Sequence, residues 1–271
     1  MIPKIIHYCW FGENEKPDYV KRCIDSWRRY CPDYEIIEWN ESNFNTTKNI
    51  YCHEAYKAKK WAFVSDYARL VVLYKYGGIY MDTDVEVVKS FDPLLHWGAF
   101  LCFERNNQVS VGTFGVKKHS VLVGKMIQSY ENRHFYNADS TLNLTTNLSI
   151  LTPILVKHYS LRLNGNRQVL NDDILVLPME AFIAKSMFTG WILMDKSTYA
   201  IHHYAGSWTH MDADQKEWAE RRSLHLRNYI KQMEPILDLL ARSSANYEVY
   251  GMKTLMKKIC RQIIRKLGGG R

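Results

Sequence analysis

Asp82 and Asp84 stand two residues apart, directly after the apolar run Ile79-Tyr80-Met81. Carboxylates about 7 Å apart along an extended chain repel each other unless a cation lies between them. A hard divalent ion with oxygen ligands satisfies both and can bridge to a diphosphate. The plainer alternative is a polar turn after a strand. Upstream, Asp66 and Arg69 are three apart, which makes them neighbours on a helix face. There a carboxylate can accept sugar hydroxyls and a guanidinium can hold an anion or a sugar oxygen; the plainer alternative is a surface ion pair. Trp10 ends the opening β-forming run, where an aromatic ordinarily packs in the core. His202-His203 adds imidazole near the C-terminal side. A hydrolase would divide Asp82 and Asp84 into an acid and a nucleophile, a poor use of two carboxylates that share one ion.

The elements that must position these groups alternate. Ile2 to Trp10 reads as a strand, Pro17 to Tyr30 as a helix with Val20, Ile24 and Trp27 on one face, and Tyr34 to Trp39 as a second strand. Tyr51 to Lys59 reads as a short helix. Lys60 to Tyr76 is the clearest helix, with Trp61, Val64, Ala68, Val71 and Val72 in its stripe; Asp66 and Arg69 lie off that stripe. Gly77-Gly78 stops it. A short strand, Ile79 to Met81, runs into Asp82, and Val85 to Val88 resumes β-character. Further strands are expected at Phe100–Phe103, Ile174–Leu177 and Tyr199–Tyr204, and helices at Ser120–Tyr130, Ile150–Tyr159 and Gln215–Leu240. This is the order of an α/β sheet with helices on its faces. In such sheets ligands bind at the carboxyl ends of the strands, where Asp82 and Asp84 fall.

Composition narrows the classes. The 271 residues are 46% hydrophobic and 24% charged, which excludes disorder, collagen and a coiled coil. Net charge is 36 − 28 = +8, but residues 251–271 hold seven basic residues and no acid, so the other residues carry only +1. A nucleic-acid surface on the body is therefore not expected. The same tail places Met252, Leu255, Met256, Ile259, Ile263, Ile264 and Leu267 at helical spacing, opposite Lys253, Lys257, Arg261 and Arg265. Such a helix can lie on an anionic membrane surface; docking on the body is the alternative. The six cysteines form no CxxC pair and are expected to be buried reduced thiols. No secretory signal pattern opens the sequence, and the expected setting is cytoplasmic, peripheral on the inner face of the cell membrane. The expected division is a catalytic domain over 1–250 and a basic amphipathic helix over 251–271.

Ala62-Phe63-Val64-Ser65-Asp66-Tyr67-Ala68-Arg69 followed by Tyr76-Gly77-Gly78-Ile79-Tyr80-Met81-Asp82-Thr83-Asp84 resembles the sugar-binding region of glycosyltransferase family 32. That family includes yeast-type initiating mannosyltransferases and bacterial capsule and O-antigen enzymes. The same motifs are similar to those of the large glucosylating bacterial toxins. Ile2-Pro3-Lys4-Ile5-Ile6-His7 with Trp10, and His202-His203-Tyr204-Ala205-Gly206-Ser207-Trp208, resemble its opening and closing motifs. In the middle region Thr145-Thr146-Asn147-Leu148 departs from the small residue and Gly-Pro of many relatives.

The resemblance implies an A-type glycosyltransferase (GT-A) fold, a Rossmann-like mixed sheet flanked by helices, with a nucleotide-sugar donor and Mn²⁺ or Mg²⁺. By position, it implies Trp10 on the base, Ser65 on the ribose side, and Asp66 and Arg69 on the donor sugar. Asp82 would face ribose and sugar and lie close to the ion, and Asp84 would bind the metal. His203, with His202 as the alternative, would complete the metal shell, and Ser207 and Trp208 would meet the diphosphate. Glu104, Asn106 and Asn107 are candidates for the acceptor side. The implied reaction retains configuration at the anomeric carbon; with no second carboxylate evident as nucleophile, attack comes from the face of departure. The expectation is transfer from a UDP-sugar to a lipid-linked oligosaccharide in bacterial capsule or O-antigen synthesis. The rivals are a toxin-like enzyme that glycosylates protein and a non-enzymatic basic adaptor for membrane or nucleic acid.

Overall fold

Strands and helices alternate as the sequence predicts. The structure is a computed structural model that describes residues 1–105, 107–185 and 192–205. In chain order the elements are β1 (Ile5–Cys9), α1 (Asp18–Tyr30), β2 (Glu35–Trp39), α2 (Ile50–Lys57), α3 (Trp61–Tyr76), β3 (Gly78–Met81), β4 (Val85–Val87) and β5 (Ala99–Arg105). There follow β6 (Gln108–Val109), β7 (Thr113–Val116), α4 (Val121–Gln128), α5 (Asn147–Tyr159), β8 (Gln168–Leu170), β9 (Ile174–Leu177) and β10 (Ala200–His202). The expected helix at 215–240, the tail at 251–271, and Asn106, Ser207, Trp208 and Cys260 lie outside the described residues.

The main sheet runs β2-β1-β3-β7-β5-β9-β8, with β6 paired to β5; β4 and β10 form a separate antiparallel pair. β1 is parallel to β2 and β3, and β5 is parallel to β9, while β7 runs antiparallel to both its neighbours. This is the mixed, helix-flanked sheet expected. The parallel strands bring Trp10, Asp82 and Glu104 to one edge, and the reversed β7 begins at that edge just after Gly112.

Strand alternation divides the core into two layers. On one face Tyr80, Leu101, Phe103, Phe114 and Val116 pack with α2 to α5 through Ala55, Val64, Leu70, Leu122 and Leu155. On the other, Ile6, Ile79, Met81, Phe100 and Cys102 pack with Val20, Ile24 and Trp27 of α1 and with Val85 and Ala200 of the small sheet. Helix α2 starts where Asn49 caps it, its side chain accepting from the Cys52 N–H at 3.0 Å. Helix α3 is buried on most of its circumference, including Asp66 and Arg69. Each fully buried Val, Leu or Phe stabilises by roughly 1.5–3 kcal/mol, and this helix sets Phe63, Val64, Leu70, Val72 and Leu73 against the cost of burying those two charges. The five cysteines among the described residues are free and buried. Burial pushes the Cys9 and Cys52 thiols up to about 12, which leaves them unreactive.

At the α3–β3 turn Gly77 and Gly78 have φ of 68° and 102°. A Cβ on Gly78 would sit 2.6 Å from the Ile5 carbonyl oxygen. Close by, His7 is fully buried: its Nε2–H donates to the Gly77 carbonyl at 2.8 Å, and its Nδ1 accepts from the Trp39 indole at 3.1 Å. Both ring nitrogens are therefore satisfied only in the neutral form. Burial, partly opposed by the Gly77 bond, lowers the His7 pKa from 6.5 to about 4. The unfolded chain then binds the extra proton between those values, so stability is lost as pH falls through that window, by roughly 3 kcal/mol. Denaturant midpoints measured from pH 7 down to 4.5 are expected to fall more steeply in the wild type than in His7→Gln; parallel curves would remove His7 from this role.

Candidate functional site

Arg69 is the hub of the strand edge. Its Nη1–H donates to the Val111 carbonyl at 2.9 Å and its Nε–H to the Ser65 carbonyl at 3.2 Å. Nη2 lies 3.1 Å from Asp66 Oδ1 and 3.3 Å from Asp82 Oδ1. The guanidinium sits 4.3 Å over the Tyr80 ring, whose hydroxyl donates to Asp82 Oδ1 at 3.1 Å. With Asp66 7% and Arg69 5% exposed, the surface-ion-pair alternative is excluded. Burial raises the Asp66 and Asp82 carboxyls against the pull of Arg69, and the facing Asp84 charge pushes Asp82 further up. Arg69 stays charged because its carboxylate partners outweigh its desolvation.

Asp66 is also held from α5. The Asn147 carboxamide donates to the Asp66 carbonyl at 2.7 Å, and its backbone N–H points at Asp66 Oδ2 at 3.4 Å. Asn147 is itself fixed by the Tyr130 hydroxyl at 2.7 Å. The helix thus begins at Asn147, earlier than the apolar spacing from Ile150 predicts.

The second half of the site forms where β4 meets β10. His202 pairs in register with Val85, and the His203 N–H donates to the Asp84 carbonyl at 2.9 Å. Successive side chains on a strand point to opposite faces, so only one of the two histidines can face the aspartates. That one is His202, whose Nε2 is 3.2 Å from Asp84 Oδ1. His203, preferred from sequence as the third ligand, turns instead to Glu86, with Nε2 2.9 Å from Oε2. The placement corrects that choice. Asp84 Oδ2 accepts from the Ala205 N–H at 2.7 Å. Burial opposes charge on both partners, but their mutual bond prevails: Asp84 is held below its ordinary range and His202 is raised to about 9.

One ligand atom each from Asp82, Asp84 and His202 lie within 4.8 Å of one another. The His202 Nδ1 is buried without a hydrogen-bond partner. Two carboxylates and an imidazole are a donor set that fits a divalent metal ion. Gly112 leaves the room: a Cβ there would lie 3.0 Å from both Asp82 Oδ2 and His202 Cε1. The His202 ring is stacked 4.4 Å from Tyr204, whose hydroxyl donates to Glu104 Oε1 at 2.9 Å. Glu104 therefore joins this edge, while Asn107 is exposed.

Trp10 is half-buried at the end of β1, with its indole N–H on the Asn14 carbonyl at 2.7 Å and Lys16 Nζ 5.6 Å from its ring. Ser65 is half-buried and its hydroxyl meets Cys9. The residues that sequence reasoning did not single out are Tyr80, Val111, Gly112, Asn147 and Tyr204. Tyr80 and Tyr204 lie inside the quoted motifs, and Asn147 lies in the stretch that departs from many relatives.

The family described as the glycosyltransferase sugar-binding region containing the DXD motif matches residues 17–101. Inositol phosphoceramide mannosyltransferase 3 of Schizosaccharomyces pombe is 35% identical over 125 residues, 43% of this chain and 34% of that protein. Inositol phosphoceramide mannosyltransferase 2 of the same yeast is 28% identical over 82% of this chain and 62% of its own length. The first of these relatives is thus spanned over about a third of its length. Among solved structures, the PaToxG glycosyltransferase superposes with a TM-score of 0.44 at 20% identity, over 58% of this chain and 69% of its own.

Proposed function

On the premise that the chain carries the DXD sugar-binding region of the glycosyltransferases, we propose that it transfers a sugar from a nucleotide-sugar donor, first a UDP-sugar, to a lipid-linked oligosaccharide. What carries this reading is the continuity of two clusters: the Asp66–Arg69–Asp82 network runs directly into Asp82–Asp84–His202. The first is suited to sugar hydroxyls, the second to a diphosphate and its cation.

Asp82, Asp84 and His202 would hold Mn²⁺ or Mg²⁺, which when bound supplies positive charge to the departing diphosphate. Arg69 adds a fixed charge to the same end of the donor. Its orientation is set beforehand by the Ser65 and Val111 carbonyls and by Tyr80, so little reorganisation accompanies the reaction. Asp66, locked by Arg69 and Asn147, accepts hydroxyls of the donor sugar. The bond from the anomeric carbon to the phosphate oxygen breaks, and the acceptor oxygen bonds to that carbon on the same face. The departing phosphate oxygen takes the acceptor proton. In this reading Trp10 stacks on the base and Ser65 lies on the ribose side.

The lipid-linked acceptor is supported by relatives whose names give inositol phosphoceramide, a lipid, as what they mannosylate. Bacterial capsule or O-antigen assembly is the setting we propose, with residues 251–271 holding the chain on the anionic inner face of the membrane. No helix among the described residues is long and apolar enough to cross a membrane.

A thermal-shift screen of UDP- and GDP-sugars with Mn²⁺ tests the donor. A UDP-sugar is expected to raise Tm in the presence of the metal and to be hydrolysed slowly. A chain that neither binds nor turns over any nucleotide sugar is not a transferase. Trp10→Ala is expected to weaken nucleotide binding by about 5- to 150-fold, the worth of one base stacked on an aromatic ring, with little change in Tm. Unchanged affinity by calorimetry would make Trp10 a packing residue.

A further inference from the structure

Sugar transfer makes no use of the ribbon beside the site. Ile192, Leu193 and Met194 are consecutive apolar residues, 45%, 67% and 56% exposed. Among the described residues, nothing covers any of the three. Its base is fixed. Ile192 pairs antiparallel with Lys185, and the Leu193 N–H donates to the carbonyl of buried Ala184 at 2.8 Å. The Lys185 ammonium donates to the His203 carbonyl at 3.1 Å, which ties the ribbon to the strand end that carries His202.

Among the described residues, lysines flank the ribbon. Lys196 follows it, and Lys89 donates to the Lys196 carbonyl at 3.1 Å while lying 4.6 Å over the Tyr199 ring. The acid that follows it, Asp195, has its Oδ1 occupied by the Ser197 N–H and hydroxyl at 2.7 and 2.6 Å. Single exposed apolar residues are ordinary. Three in succession, exposed among the described residues and flanked by lysines, match an interfacial anchor. In such an anchor the apolar tips enter the acyl boundary while lysines stay at the headgroups.

We propose that the Ile192–Met194 ribbon is a membrane-contacting surface that seats an anionic bilayer next to the transfer site. Lys89, Lys185 and Lys196 select the anionic headgroups, and the ribbon lies near the site where a lipid-linked acceptor would react. Vesicle binding by this surface does not depend on donor turnover, so either reading can fail without the other.

The test is co-sedimentation of the full chain with vesicles of phosphatidylcholine, alone and mixed with phosphatidylserine, with donor hydrolysis in solution measured in parallel. The wild type is expected to sediment with the mixed vesicles. Leu193→Asp is expected to lower that partition by about tenfold or more, as removal of one buried leucine implies, with hydrolysis unchanged. Leu193→Phe is expected to retain binding. If Leu193→Asp does not fold, Leu193→Ser reads the same quantity. Equal sedimentation of wild type and variant, or none by the wild type, overturns the proposal. So does a fall in Tm with vesicle binding intact, which would mean that the chain's own residues cover the ribbon. Loss of self-association without loss of vesicle binding would assign the surface to a second copy instead.

Discussion

Asp84→Ala is expected to leave a folded protein whose metal-dependent donor turnover falls by about 10³-fold or more, a barrier increase of roughly 4 kcal/mol. The carboxylate is almost wholly committed. Oδ1 meets His202 at 3.2 Å and Oδ2 accepts from Ala205 at 2.7 Å, while the backbone carbonyl takes the His203 N–H. Alanine keeps that backbone bond and hence the β4–β10 pairing, which is why the fold should survive. It removes one of the three proposed ligands, and His202 loses the partner that orients it. Mn²⁺ affinity by calorimetry should drop with turnover, and Tm without metal should move by only a few degrees. Full activity in the variant, or in the wild type with excess chelator, would remove the metal role from Asp84. His202→Ala should weaken Mn²⁺ binding far more than His203→Ala, since His203 turns to Glu86.

Much of this was legible in the sequence where local pattern and burial agree. The apolar runs of β1, β3 and β9, the stripe of α3 and the Gly77-Gly78 stop each follow from side-chain periodicity and backbone sterics. The edge position of Asp82 and Asp84 follows from the strand before them. β7 was not legible, because its Thr113-Phe114-Gly115-Val116 looks broken by glycine. Gly115 is there for packing: a Cβ would lie 2.3 Å from a Phe100 ring carbon. β8 and the early start of α5 at Asn147 are set by tertiary partners that spacing does not encode. The choice between His202 and His203 depends on the β4–β10 register, a contact between segments over a hundred residues apart. Asp66 and Arg69 lie off the apolar stripe, which allowed a surface pair; their burial depends on Val111 and Asn147 arriving from later in the chain.

Arg69→Met should combine the largest loss of activity with a clear loss of stability. The guanidinium answers buried Asp66, half-buried Asp82 and two carbonyls at once. A methionine fills similar space but leaves Asp66 and Asp82 without a cation, and breaking a buried pair from one side costs about 3–5 kcal/mol. The sign with pH is specific. Burial already raises both carboxyls in the fold, and Arg69 is the main influence that lowers them. Without it their folded pKa values rise further above those of the unfolded chain, so the folded variant holds protons that the unfolded chain has released. Its deficit against wild type is therefore smaller near pH 5 and grows as pH rises toward 8. Arg69→Lys keeps one charge but cannot reach both carboxylates and both carbonyls, and should fall between. Adding Asp66→Asn to Arg69→Met removes one stranded charge and should restore part of the stability without restoring turnover, since neither the charge proposed for the diphosphate nor the carboxylate proposed for the sugar returns. Urea midpoints at pH 5 and pH 8, with donor turnover on the same preparations, check both halves. A pH-independent deficit would mean that the carboxylates are not stranded. A stable, active Arg69→Met would show that the hub of this edge contributes neither the fold's electrostatic balance nor the reaction's.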